Sequence, residues 1–361
     1  MLTSPLHDRH LALHAKFAEF GGWEMPLQYG SALDEHVMVR NACGIFDVSH
    51  LGVLHVTGAE AFAVLDRVFT NDLRRIGPGR TQYTHLLNDR GGVVDDCIIW
   101  WLHDADFLVI PNASNTEPIE EAIHAVAADA DVVARTWPGA ERAMLAIQGP
   151  TARAVVAAVL GDAAADVPRF YVQEHASEFG TCVVAGTGYT GEDGVEILLP
   201  IAHGTALWDA LVANGANPVG LAARDSLRLE AALPLHGHEL TEEIASIEAG
   251  LGWAVRCEGR DFPGVGAARQ LELSDHPRRL VGLRSETRQF PRQGYGVKCE
   301  GVTVGTITSG NFSPSLGIGI ALALLDVPCE VGTEVVVDVR GKPLSMRVAA
   351  LPFIPHRKRL T

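Results

Sequence analysis

Residues 88–101 read Asn88-Asp89-Arg90-Gly91-Gly92-Val93-Val94-Asp95-Asp96-Cys97-Ile98-Ile99-Trp100-Trp101. Asn, Asp and paired glycines followed by β-branched and aromatic residues mark a β-hairpin, with Gln82 to Leu87 as its first strand. Two neighbouring carboxylates lie inside this apolar strand, an expensive place unless each has a partner or a way out to water. Side chains alternate across a strand, so Asp95 and Asp96 point to opposite faces and only one can enter a given site. The one that faces an apolar pocket should have its charged form disfavoured and its pKa raised. Spacing alone leaves two roles open for it, a structural partner of an arginine or a functional group.

Working outward, Ser31 followed by Asp34 starts a helix through about Arg40 that Gly44 stops. Strands are expected at Ile45 to Val48, Leu51 to Val56 and Phe107 to Pro111, a helix over Gly58 to Val68, and another capped by Asn115 and running to about Ala128. Further strands fall near Val132 to Thr136, Met144 to Ile147, Thr181 to Ala185 and Val195 to Leu199, and further helices at Thr151 to Leu160, Ala206 to Ala213 and Leu221 to Leu229. This is an α+β body, assigned to residues 1–275 as two intertwined subdomains. From residue 276 to 361 short β-rich runs (Leu280 to Leu283, Val302 to Thr308, Ile318 to Leu325, Glu334 to Val339, Met346 to Ala350) punctuated by Gly and Pro suggest a small C-terminal β-barrel or sandwich.

With 361 residues the chain is long enough for two or three packed units. Lys and Arg number 29 against 44 Asp and Glu, a formal charge of −15, the wrong sign for nucleic acid or an anionic membrane. Only four of the cations are lysines, so a ligand carboxylate would usually meet an arginine fork. No apolar run is long enough to span a membrane, and the first residues lack a signal-peptide core, so the expectation is a cytoplasmic protein. The six cysteines are spread singly and read as buried free thiols. His236 and His238 straddle Gly237, a spacing that can set two imidazoles on one side of a strand, but no third ligand accompanies them and no metal site is expected.

Gly186-Thr187-Gly188-Tyr189-Thr190-Gly191 matches the dinucleotide fingerprint by letter. That fingerprint requires a helix to follow, whereas Glu192-Asp193-Gly194 and a strand follow here, so the stretch reads as a glycine-rich loop with Tyr189 and Glu196 available to a ligand. Neither a nicotinamide nor a flavin is expected. Arg224 and Arg228 share a helical face at i, i+4, and Asp225 can pair with Arg228; the group is either a surface ion-pair network or, through Arg224, a bidentate holder of a ligand carboxylate. Ser49-His50 is not a hydrolase pair, because adjacent residues in an extended segment point apart.

Seven ordered motifs carry a resemblance: Gly22-Trp23-Glu24-Met25-Pro26-Leu27, Gly44-Ile45-Phe46-Asp47-Val48-Ser49-His50-Leu51-Gly52, Gly91-Gly92-Val93-Val94-Asp95-Asp96, Ala146-Ile147-Gln148-Gly149-Pro150, Thr187-Gly188-Tyr189-Thr190-Gly191-Glu192-Asp193-Gly194, Gly220 to Glu230, and Thr308-Ser309-Gly310-Asn311-Phe312-Ser313-Pro314. From residue 5 to about 355 the chain resembles the aminomethyltransferases, the T-proteins of the glycine cleavage system. The resemblance implies a multi-domain, cloverleaf-like folate-binding fold around a central cavity, ending in a small β-barrel. It implies transfer of a methylene from the aminomethyl-lipoyl arm of the H-protein to tetrahydrofolate, releasing ammonia and forming 5,10-methylenetetrahydrofolate, by a monomeric enzyme. By the same resemblance Asp96 is the catalytic carboxylate, lying near folate N10 and supporting the positive charge that develops as ammonia leaves. Glu196 receives pterin N–H donors, Tyr83, Asn112 and Tyr189 line the folate, Arg224 belongs to its site, and Asp95 is left a structural role.

Two positions depart from the family pattern. Gly186 stands where an arginine is usual, and Pro355-His356-Arg357-Lys358-Arg359 offers no aromatic, although a basic tail suits folate glutamates or the carrier protein. Two other readings share the fold: a folate-binding accessory of iron–sulfur proteins, whose K-G-C-x-x-G-type motif is replaced here by Pro234-Leu235-His236-Gly237-His238, and a folate-dependent demethylase of a sulfonium or N-methyl substrate.

Overall fold

The computed structural model describes residues 1–128, 130–274 and 278–357, so the boundary drawn at 275/276 lies outside the described residues. Two antiparallel-dominated sheets form the body. One has six strands in the order Val172–Ser177, Gly180–Ala185, Gly194–Pro200, Arg142–Gln148, Gly44–Asp47, Asn217–Pro218; the other has five, Arg80–Leu87, Val93–His103, Asp106–Ile110, Leu54–Thr57, Val133–Thr136.

The strands are apolar on both sides because both sides are covered. In Arg142–Gln148 all seven residues are buried. Leu145 and Ile147 pack outward under helices Ala152–Leu160 and Ile201–Ala213, while Met144 and Ala146 face the second sheet. That sheet answers with Trp100, Leu102, Leu108 and Ile110, and turns Cys97, Ile99, Phe107 and Val109 toward helices Ala61–Val68 and Thr116–Ala127. Trp100 is fully buried at the sheet–sheet contact, and removing a buried Trp side chain typically costs about 3–5 kcal/mol.

Six strands of the C-terminal part close a barrel: Arg279–Ser285, Ile318–Leu325, Val302–Ser313, Gly296–Cys299, Glu334–Val339 and Lys342–Ala349. Alternating burial along Glu334–Val339 and Lys342–Ala349 places Val335, Val337, Leu344, Met346 and Val348 inside. Among the described residues no helix is long and apolar enough to cross a membrane.

The expected helices and strands are present within a few residues at their ends, and the dinucleotide-like stretch is a loop between the strands Gly180–Ala185 and Gly194–Pro200. Other local readings are overturned. The histidines beside Gly237 lie on a turn, with Gly237 at φ 86°, not on a strand. His238 Nδ1 bonds to the Thr308 carbonyl at 2.9 Å while His236 faces Asn115. Arg228 is no surface residue: 1% exposed, it binds Asp225, Glu239 and the barrel's Ser309. Cys299 and Cys329 are half-buried, unlike the other four cysteines. Sequence periodicity also missed the three-stranded sheet of Leu2–Thr3, Trp23–Gln28 and Lys16–Phe20 and the helix Val265–Leu273, which buries no residue fully.

Candidate functional site

The hairpin turn sets the site. Gly91 has φ 84°, and a Cβ on Gly92 would sit 1.9 Å from the Glu242 carbonyl oxygen, so glycine is required at both positions. The ladder then runs His85 opposite Asp96 and Leu86 opposite Asp95, with a bulge at Val94 before the pair. Alternation holds along the strand: Asp96 is in line with Ile98 and Trp100 toward the other sheet, and Asp95 with Cys97 and Ile99 toward the helices.

Tyr83 donates to Asp96 Oδ2 at 2.9 Å, and Asn112 Nδ2 donates to Asp96 Oδ1 at 3.0 Å. The same Asn112 amide reaches Asp95 Oδ1 at 2.8 Å, and its backbone N–H reaches Asp95 Oδ2 at 3.1 Å. Asn115 supplies a further donor to Asp95 Oδ1 at 2.6 Å. The two carboxylates thus face apart yet share one amide. Burial raises the pKa of Asp96 against the opposing bonds from Tyr83 and Asn112 and the charge of His236. Burial, then the neighbouring Asp96 charge, pushes Asp95 up to about 7. No Lys or Arg among the described residues pairs with either.

The facing sheet brings Glu196, 6% exposed and paired in register with Ala146, into the same inter-sheet side. Thr187 donates its hydroxyl to Glu196 Oε2, and burial raises the Glu196 pKa against that bond and the Arg224 charge. Arg224, in helix Leu221–Glu230, lies with its guanidinium carbon 4.4 Å above the Tyr189 ring. Among the described residues its guanidinium makes no hydrogen bond or ion pair; burial lowers its pKa against the opposing charges of Tyr189 and Glu196. Tyr189 donates its hydroxyl to the Pro234 carbonyl, so its ring and not its hydroxyl is open to a ligand. Asp96 and Tyr189 feel each other electrostatically, as do Arg224 and Glu196, which ties the two sheets' groups into one constellation.

Two crevices, about 140 and 300 Å³, lie behind the hairpin turn around Gly91, Ala245 and Leu271, and neither is lined by these groups. Among the described residues no cluster of three or more His, Cys, Asp or Glu side chains is placed to hold a metal ion.

Several residues escaped the sequence reading. Asn115 was expected to cap its helix, but its side chain makes no cap bond and turns to Asp95 instead. His50 is 2% exposed with both ring nitrogens unpartnered, and burial followed by the Arg224 charge lowers its pKa to about 3. Its neighbour Ser49 is tied to the Met144 backbone, in keeping with the dismissal of a hydrolase pair. Gly186 has its own reason to lack a side chain, since a Cβ there would lie 2.0 Å from the Pro168 carbonyl oxygen. In the tail, His356 bonds to the Ala231 carbonyl and Arg357 to the Arg40 carbonyl, so both serve anchoring; Lys358 and Arg359 lie outside the described residues.

Known proteins follow the same outline. The family model described as the GCVT N-terminal domain matches residues 6–259, and that of the glycine cleavage T-protein C-terminal barrel domain matches residues 278–354. An aminomethyltransferase of Desulforamulus reducens is 40% identical over 362 residues, covering 97% of each chain. One from Mycolicibacterium paratuberculosis is 43% identical over 366 residues, covering 99% of this chain and 98% of its own. The crystal structure of glycine cleavage system aminomethyltransferase T from Bartonella henselae matches with a TM-score of 0.91 at 36% identity, covering 99% of each chain. Fold and matches define a one-carbon group transferase. More narrowly, the chain belongs to the aminomethyltransferase family, the T-proteins of the glycine cleavage system. Its activity is the tetrahydrofolate-dependent aminomethyl transfer of glycine breakdown.

Proposed function

We propose that tetrahydrofolate binds between Asp96 of one sheet and Glu196 and Arg224 facing it, and that the aminomethyl group arrives on the lipoyl arm of the H-protein. The donor set suits such a ligand. Glu196 is a buried acceptor for ring N–H groups, the Tyr83 ring and the Tyr189 face that Arg224 leaves free are apolar platforms, and Arg224 is a cationic fork with no acceptor among the described residues. Tetrahydrofolate supplies N5 and N10, the two nitrogens that take up the methylene. Asp96, oriented by Tyr83 and Asn112, offers a fixed negative charge where positive charge develops as the amine departs; preorganised charge of this kind needs no reorganisation during reaction. Asn112 holds Asp96 in place from the Asp95 side, which gives Asp95 a supporting role.

One observation carries this reading. Among the described residues Asp96 has no Lys or Arg partner and the Arg224 guanidinium makes no hydrogen bond or ion pair, although Asp225, Arg228 and Glu230 on the same helix are all paired. The test is ammonia release from an aminomethylated lipoyl carrier, with and without tetrahydrofolate. Turnover that depends on folate is expected. Folate bound without turnover would overturn the catalytic reading in favour of an accessory role.

A further inference from the structure

We propose that His236 presents its Nε2–H to the folate substrate as a hydrogen-bond donor, and that Asn115, itself oriented by Asp95, fixes the ring in that tautomer. The proposal rests on the folate reading of the site and adds a ligand-touching group to it.

Asn115 is the pivot. Its Nδ2 has two hydrogens: one goes to Asp95 Oδ1 at 2.6 Å and the other meets His236 Nδ1 at 3.2 Å. Turning the amide round would set its oxygen against the Asp95 carboxylate, and Ser114 donates to Asn115 Oδ1 at 3.1 Å in the present orientation. His236 Nδ1 must therefore accept, which places the proton of the neutral ring on Nε2. That nitrogen is buried and has no partner among the described residues. A buried donor without an acceptor is costly, so a ligand atom that accepts from it gains the bond and removes the cost.

The surroundings leave His236 Nε2 for the ligand. Asp95 and Asp96 approach from the hairpin strand, and His236 lies close enough to Asp96 for the two to act on each other electrostatically. On its own turn, His238 is engaged with Thr308 and Ser309, and Glu239 with Arg228. From the glycine-rich loop, the Tyr189 hydroxyl is taken by Pro234. The two histidines that flank Gly237 thus divide, His238 fastening the turn to the barrel and His236 lying against Asn115 beside the carboxylate pair.

Two measurements on the full chain test this. Ring-nitrogen NMR of the ¹⁵N-histidine-labelled, ligand-free protein should show the neutral His236 ring protonated at Nε2, and Asn115→Leu should give a mixture of tautomers. A neutral ring protonated at Nδ1 overturns the proposal. Calorimetric binding of tetrahydrofolate should weaken about tenfold in His236→Phe and recover to within about threefold in His236→Gln, whose side-chain amide returns an N–H near the Nε2 position. Equal affinity of His236→Phe and the unmodified chain, with unfolding midpoints unchanged, overturns it as well. An unmodified chain that binds no tetrahydrofolate overturns the functional reading and the donor role together, while the spectrum still decides the tautomer.

Discussion

Two buried carboxylate clusters in this molecule are built from similar parts and behave in opposite ways. Glu230, at the C-terminal end of helix Leu221–Glu230, receives Arg40 Nη2 at 2.9 Å, His36 Nε2 at 3.0 Å and the hydroxyls of Ser313 and Ser315. Those partners outweigh its burial and hold its pKa down at about 2. Asp95 and Asp96 receive only neutral amides and a phenol, and burial wins, raising both. A carboxylate that fastens a helix to a helix and a barrel has its countercharge within the chain. On the proposed reading, the one that meets a substrate is left without it, and the fold bears the cost.

The contrast breaks most visibly at Glu230. Glu230→Gln leaves buried Arg40 and His36 short of charge and should destabilise the fold by about 3–5 kcal/mol in urea unfolding. The sign with pH follows from the lowered pKa. The Glu230 contribution is complete above the unfolded value of about 4.3 and is lost as pH falls through about 2, so the variant should lose most of the steep acid dependence in that window. An unchanged acid limb would count against the assignment. Next in size, Asp96→Asn should lower folate-dependent ammonia release by about 10²- to 10³-fold, with tetrahydrofolate affinity changed less than tenfold. A variant that keeps full turnover removes Asp96 from the chemistry.

The same division runs along the helix that carries Arg224 and Arg228. Arg224→Met should weaken tetrahydrofolate binding about tenfold, with stability changed by about 1 kcal/mol or less, because only the contact with the Tyr189 ring is lost. Arg228→Met, which forfeits Asp225, Glu239 and Ser309, should do the reverse. If both variants lose stability alike, Arg224 is structural after all.

What the sequence made legible was whatever local rules control. The Asn-Asp-Arg-Gly-Gly turn, the apolar strand interrupted by Asp95-Asp96 and the alternating barrel strands are set by neighbours in sequence, and they stand as read. Asn115 shows where this stops. A helix cap was the local expectation, but Asp95, twenty residues earlier, offers its amide a charged acceptor that a cap does not match. His236 was misread for a related reason: period-2 spacing was applied to a turn, and nothing nearby in sequence announces Asn115 as its partner. The sheet of Leu2–Thr3, Trp23–Gln28 and Lys16–Phe20 pairs segments too short and too half-exposed to leave a periodic signal. The likeness to a family supplied the roles of Glu196 and Arg224; residue type and spacing alone left Glu196 merely available to a ligand and Arg224 with a surface ion-pair network as its alternative.

The smallest expected effect tests the comparison most finely. Asp95 is raised in the folded chain to about 7 from an unfolded value of about 3.9. Between those two values the folded state holds a proton that the unfolded state has lost, so stability falls as pH rises from about 4 through 7, the opposite slope to that of Glu230. Asp95→Asn keeps the shape of the neutral acid and cannot ionise, but its new amide hydrogens oppose one of the donors from Asn112 and Asn115. At pH 5 the folded Asp95 carboxyl is already neutral, and the cost of protonating it on folding nearly offsets the variant's loss of one acceptor. The variant should therefore match the unmodified chain at pH 5 and exceed its stability by about 1 kcal/mol at pH 6, with turnover reduced less than in Asp96→Asn. Urea midpoints at the two pH values decide the matter. A variant less stable at pH 6 would mean that the bonds from Asn112 and Asn115 stabilise ionised Asp95 beyond the cost of its burial, and the two carboxylate clusters would then differ in degree rather than in kind.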